Sequence, residues 1–165
     1  MPSSVEIAPD VEALRLTIVE RLPVRSRWLL AGASLDWDFS RAGQPLQSLS
    51  DADAEKWKEV LPSDWRELFI FGEESYAEGG GAAPLLCVHA ETGEVIGLDA
   101  ERESSSTYLV NSTVPAFIET FLLLDEALRP GAVVPAGLKE RIYEADPSGF
   151  DGSDWRDLVD FLSQR

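Results

Sequence analysis

The chain has 165 residues, with 30 Asp and Glu set against 14 Lys and Arg, a formal net charge of −16. That length suits one domain, residues 1–165, able to bury an apolar core without disulfides or metals. The charge excludes nucleic acid and anionic membranes as partners, because gripping phosphates takes Lys and Arg, and it draws the chain towards basic surfaces.

Hydrophobic residues are 44% of the chain and charged residues 27%, so a folded core is expected rather than disorder. The single cysteine, Cys87, excludes an internal disulfide. It lies in the apolar run Leu85-Leu86-Cys87-Val88 and reads as packing. The opening Met-Pro-Ser-Ser-Val-Glu has no basic or apolar region of a signal peptide, and no apolar run approaches a membrane span. A cytoplasmic protein is expected.

In chain order, residues 1–9 read as frayed. Asp10 then caps a helix to about Arg21 with Val11, Leu14, Ile18 and Leu22 on one face, and Pro23 ends it. Residues 27–31 read as a strand and residues 36–50 as loop, rich in Asp, Ser, Gly and Pro. Ser50 caps a helix over 51–61 whose first turn carries the carboxylates that the helix dipole favours. Residues 65–71 read as an apolar strand and residues 72–81 as a flexible acidic loop. Residues 84–90 and 94–99 form a hairpin about Thr92-Gly93, and 107–111 a further strand. The succession implies an antiparallel sheet.

Ser112 or Thr113 caps the next helix, with Pro115 in its first turn and Phe117, Phe121, Leu124 and Leu128 on its apolar face. Arg129-Pro130-Gly131 stops it. Two more helices are expected at 136–145 and 153–163, separated by Asp146-Pro147-Ser148-Gly149.

Catalytic and cofactor signatures fail individually. No glycine-rich segment leads into Gly-Lys-Ser or Gly-Lys-Thr, and Gly79 to Gly81 sit among glutamates that repel phosphate. One Cys and one His cannot make the usual zinc site. Asp151, Asp154 and Asp157 miss the spacing of a calcium loop. Cys87 and His89 share a strand face, but residues 67–101 hold no Lys or Arg to stabilise a thiolate. The expectation is no enzyme, no metal and no cofactor.

Charge placement is more informative. Residues 67–101 hold eight carboxylates and no base, whereas residues 1–50 hold six acids and five bases. Bunched like charges oppose folding through self-repulsion and persist more readily when an external basic surface pairs with them. Glu73, Glu74, Glu78, Glu101 and Glu103 are therefore candidate partner-binding residues, with Tyr76 as an aromatic anchor.

Four segments, in order, resemble the SUKH superfamily of SMI1/KNR4-like proteins, and within it the SUKH-4 immunity proteins. They are Leu68-Phe69-Ile70-Phe71-Gly72; Leu85-Leu86-Cys87-Val88 with Glu91-Thr92-Gly93-Glu94-Val95; Tyr108-Leu109-Val110-Asn111-Ser112-Thr113 with Phe117; and Asp146-Pro147 with Trp155. Thr113 stands where a second Ser is common, and the acidic loop is longer than usual. The likeness spans about 65–165. It implies an α+β fold with a central antiparallel sheet packed by helices, without catalytic residues. It also implies a cytoplasmic immunity protein that binds a polymorphic toxin such as a nuclease or nucleic-acid deaminase; the charge makes a basic toxin the expected partner, and the free protein is expected to be a monomer. The alternatives are a regulatory or scaffold protein of the same fold, which gene neighbourhood separates, and a carboxylate enzyme, which needs a deep pocket with a raised-pKa carboxyl.

Overall fold

The structure, a computed structural model, describes residues 2–30, 33–48, 68–76, 84–98, 107–152, 155, 158 and 159. It is an α+β fold. Helix α1 (Pro2–Arg21) leads into strands β1 (Arg25–Leu30) and β2 (Ala33–Asp38), a 3-10 turn (Ser40–Gly43) and the short β3 (Gln47–Ser48). Strands β4 (Leu68–Tyr76), β5 (Leu85–His89), β6 (Val95–Leu98) and β7 (Thr107–Asn111) follow, then helices α2 (Val114–Leu128), α3 (Leu138–Ala145) and α4 (Pro147–Gly152). The described strands form one antiparallel sheet in the order β1-β2-β4-β5-β6-β7, with β3 also on β4.

Several expectations change. The first helix starts at Pro2, with Asp10 inside it. Glu6, Ile7 and Ala8 extend it backwards, and Pro2 stands in the first turn, where a missing N–H does no harm. Residues 36–50 are not simply loop. Leu35, Trp37 and Phe39 are buried and alternate with Asp36 and Asp38, the period of a strand with one wet face. Likewise, residues 72–76 continue β4 instead of opening a flexible loop, because β2 and β5 flank them and complete the backbone ladder. Pro147 starts α4 rather than separating helices, since Asp146 caps it: Gly149 N–H donates to the Asp146 carboxylate at 3.0 Å. The expected helix at 51–61 lies outside the described residues.

The described helices pack on one face of the sheet. There Trp28, Trp37, Phe39, Phe71, Phe117, Phe121 and Trp155 form a connected aromatic core. Trp28 and Phe121 centroids are 5.0 Å apart, and Phe71 meets Phe117 edge-on at 5.5 Å. Each fully buried ring or aliphatic side chain of this kind contributes roughly 1.5–3 kcal/mol. The opposite face carries a smaller buried cluster of Leu68, Ile70, Leu85, Cys87 and Leu98.

Thr113 is the cap of α2, its hydroxyl accepting from Ala116 N–H at 3.1 Å. The Phe71-Gly72 step is a β-bulge, with the register against β5 jumping between Ile70 and Gly72. Both residues therefore turn inward, and Glu73 is re-aimed to the outer face. Gly72 is required there: a Cβ would lie 2.6 Å from Phe39 Cδ1 and 3.1 Å from the Asp38 carbonyl oxygen. Gly72→Ala should lower the unfolding free energy by about 1–3 kcal/mol in urea titration. Gly43→Ala, with nothing within 4 Å of its Cβ, should stay within about 0.5 kcal/mol.

Candidate protein-binding site

The register draws one row across the outer face: Arg25, Asp38, Glu73, Leu85, Leu98 and Thr107. Leu85 and Leu98 are buried at one side of this row, whereas the Arg25, Asp38 and Glu73 side chains are 75%, 32% and 37% exposed. The next positions along β1 and β2, Arg27 and Asp36, extend the charged part.

These charges are paired across strands. Arg27 Nε donates to Asp36 at 2.7 Å, Arg25 Nε lies 3.5 Å from Asp38, and Arg41 reaches Glu73 at 3.9 Å. The Arg27 hydrogen bond holds Asp36 below the usual carboxylate range. Asp38 is also lowered, first by hydrogen bonding from Ser40 against an opposing effect of burial, with Arg25 adding to it. Glu73 thus has a base from outside residues 67–101, one that local composition does not reveal.

The predicted site residues fall as follows. Glu73 is on the outer face. Glu74 is its neighbour on the strand and pairs in register with Trp37, so the pleat sets it towards the opposite face. Tyr76 is opposite Leu35. Glu78, Glu101 and Glu103 lie outside the described residues. The described residues of β4 end at Tyr76, those of β6 end at Leu98 and those of β7 begin at Thr107, all at one end of the sheet. The segments carrying the six residues are therefore tethered to that end. Sequence reasoning missed Asp36, Asp38 and Arg41. The apolar–acidic alternation from Leu35 to Phe39 was the signal that could have found the two aspartates.

A second polar group joins the far edge of the sheet to the helices. Asp146 is 4% exposed. Its carboxylate accepts from Asn111 Nδ2 at 3.0 Å, Ser112 N–H at 2.7 Å and Gly149 N–H at 3.0 Å, and from the Ser112 hydroxyl. Asn111 Oδ1 in turn accepts from Trp155 Nε1 at 2.7 Å. A Cβ on residue 149 would lie 2.2 Å from the carboxylate, so only glycine fits. Burial alone would raise this acid. The donors from Ser112, Gly149 and Asn111 outweigh it and hold Asp146 below the ordinary range.

Cys87 and His89 do not make a nucleophilic pair. Burial pushes the Cys87 thiol far above its ordinary value, against a weaker opposing pull from Arg41. The imidazole ties down the hairpin instead, Nδ1 accepting from the N–H groups of Glu91 at 3.2 Å and Thr92 at 3.4 Å.

A helix-backed antiparallel sheet with this Asn-Ser, Asp-Pro and Trp knot defines an α+β protein of the SUKH kind. A sequence model of the SUKH-4 immunity protein family matches residues 19–160, and the chain belongs to that family. It is accordingly an immunity protein of toxin systems, whose partner is a cognate toxin. No curated protein and no solved structure matches. No helix among the described residues is long and apolar enough to cross a membrane.

Asp146→Asn puts an amide NH2 against buried donors and should cost about 2–3 kcal/mol at pH 7, read by urea unfolding. Because the folded pKa is lowered, the wild-type advantage is complete above the unfolded value of about 3.9 and is lost as pH falls through the folded one. The difference between the two proteins should shrink below about pH 4.

Proposed function

We propose that this chain neutralises a toxin that acts on nucleic acid, a nuclease or a nucleic-acid deaminase, by covering its basic cleft with an acidic surface. The membership in the SUKH-4 immunity family carries the reading. The charge of −16 favours this toxin class, since an enzyme that grips phosphates must present Lys and Arg. The acidic protein then stands in for the substrate and is steered to the cleft. In this reading the immunity protein is a cytoplasmic monomer that meets its toxin one to one and performs no chemistry.

The contact is built at the sheet end that tethers Glu73, Glu74, Tyr76, Glu78, Glu101 and Glu103. Glu73 and Glu74 are on opposite faces of β4, so a footprint that includes both wraps around the strand end.

Co-expression with the toxin domain encoded beside this gene should restore growth of a host that the toxin alone arrests. Unrelieved arrest, or the absence of such a neighbour, would remove the reading. Electrostatic steering makes a separate prediction: the association rate should fall at least about tenfold between low and high salt. A rate independent of salt would leave immunity standing and reject the acidic mechanism.

A further inference from the structure

The outer face of the sheet is unequally covered. Across β5 and β6 its side chains are buried, or half-buried at Ile96, whereas over β1, β2 and Glu73 of β4 they line an open hollow of about 580 Å³. Arg25, Arg27, Asp36, Asp38 and Glu73 are among its walls. Arg41, the partner of Glu73, lines a second hollow of about 420 Å³.

Two carboxylates face each other across the floor. Asp38 and Glu73 are direct partners in the β2–β4 register. Like charges placed opposite each other on neighbouring strands are destabilising. Arg25 stands 3.5 Å from Asp38 on one side, where the Ser40 N–H also donates to the Asp38 carboxylate at 2.8 Å, and Arg41 stands 3.9 Å from Glu73 on the other. Both are exposed pairs of the kind that contributes little to stability.

We infer that this open half of the sheet is the toxin-docking surface, and that a Lys or Arg side chain of the toxin enters between Asp38 and Glu73. The inference rests on the immunity reading and adds β1 and β2 to the contact. Two carboxylates on adjacent strands are spaced to take one guanidinium or ammonium group. Arg25, Arg27 and Arg41 oppose a free divalent cation, because three positive charges surround the same floor. The exposed Arg25 and Arg27 present a positive rail along the sheet edge, at side-chain exposures of 75% and 59%. That rail receives acidic groups beside the toxin's basic cleft and sets the register of the complex. The surface thus selects a partner whose own charges alternate, a stricter demand than general basicity.

The test uses the full chain and a catalytically inactive form of the toxin domain encoded beside this gene. The Asp38→Asn/Glu73→Gln double variant keeps both side-chain shapes and removes both charges. Its dissociation constant should weaken at least about tenfold, while a cooperative thermal melt shows that the chain still folds. The Glu119→Gln/Glu126→Gln variant removes two exposed charges from α2 and should bind as wild type does. A double sheet variant that binds within about twofold of wild type overturns the docking surface, as does loss of binding confined to the α2 variant. If wild type itself fails to bind, the immunity reading fails and this inference with it.

Discussion

The carboxylate of Asp146 ties together the parts of this fold that are distant in sequence. It takes hydrogen bonds from the end of β7, the approach to α2 and the first turn of α4, and through Asn111 it reaches Trp155. Asp125 does a similar job at the other edge of the sheet. It projects from α2 and accepts from Trp28 Nε1 at 2.9 Å and from the Ser26 hydroxyl, both on β1. Two buried acids thus fasten the helical layer to both edge strands, β7 and β1. Aromatic packing fills the space between them but is non-directional. The carboxylates fix which helix meets which strand, because a misplaced partner would leave buried donors unsatisfied.

This explains why the four family-like segments belong together. Phe71-Gly72 makes the bulge that turns Glu73 outward. Asn111, Ser112 and Thr113 end β7, bind Asp146 and cap α2. Asp146-Pro147 starts α4, and Trp155 closes the knot on Asn111. In the sequence they are a pattern in order. In the fold, the last two are one hydrogen-bonded object, the bulge is joined to it by the aromatic contacts of Phe71, Phe117 and Trp155, and the hairpin pairs with the strands of the first and third segments on either side.

Much of the architecture was legible. The hairpin about Gly93, β7 and the long apolar helix follow from alternation, turn chemistry and capping. Where loop was expected and strand is found, local composition hides the strand. Polar and glycine-rich surroundings make residues 36–50 and 72–76 read as loop, although Leu35 and Trp37 alternate with aspartates as an exposed-face strand demands. Residues 72–76 were harder to read. Their strand character depends on pairing with β2 and β5, which no local window contains. The site was legible only in part for the same reason. Glu73 stood out as an unbalanced acid, but Arg41 and Asp38 come to it from elsewhere in the chain.

A whole-chain excess of −16 would act on a basic partner at long range. At contact range, the described sheet face alternates acid and base, which favours orientation and choice of partner over bulk attraction. The central claim is that the open half of the sheet, backed by the carboxylate-fastened helices, meets the toxin. Amide hydrogen exchange of the chain, alone and bound to the inactive toxin domain, tests it most directly. Protection should rise over β1, β2 and residues 73–76. Protection confined to α2 and α3, with those strands unchanged, would contradict it.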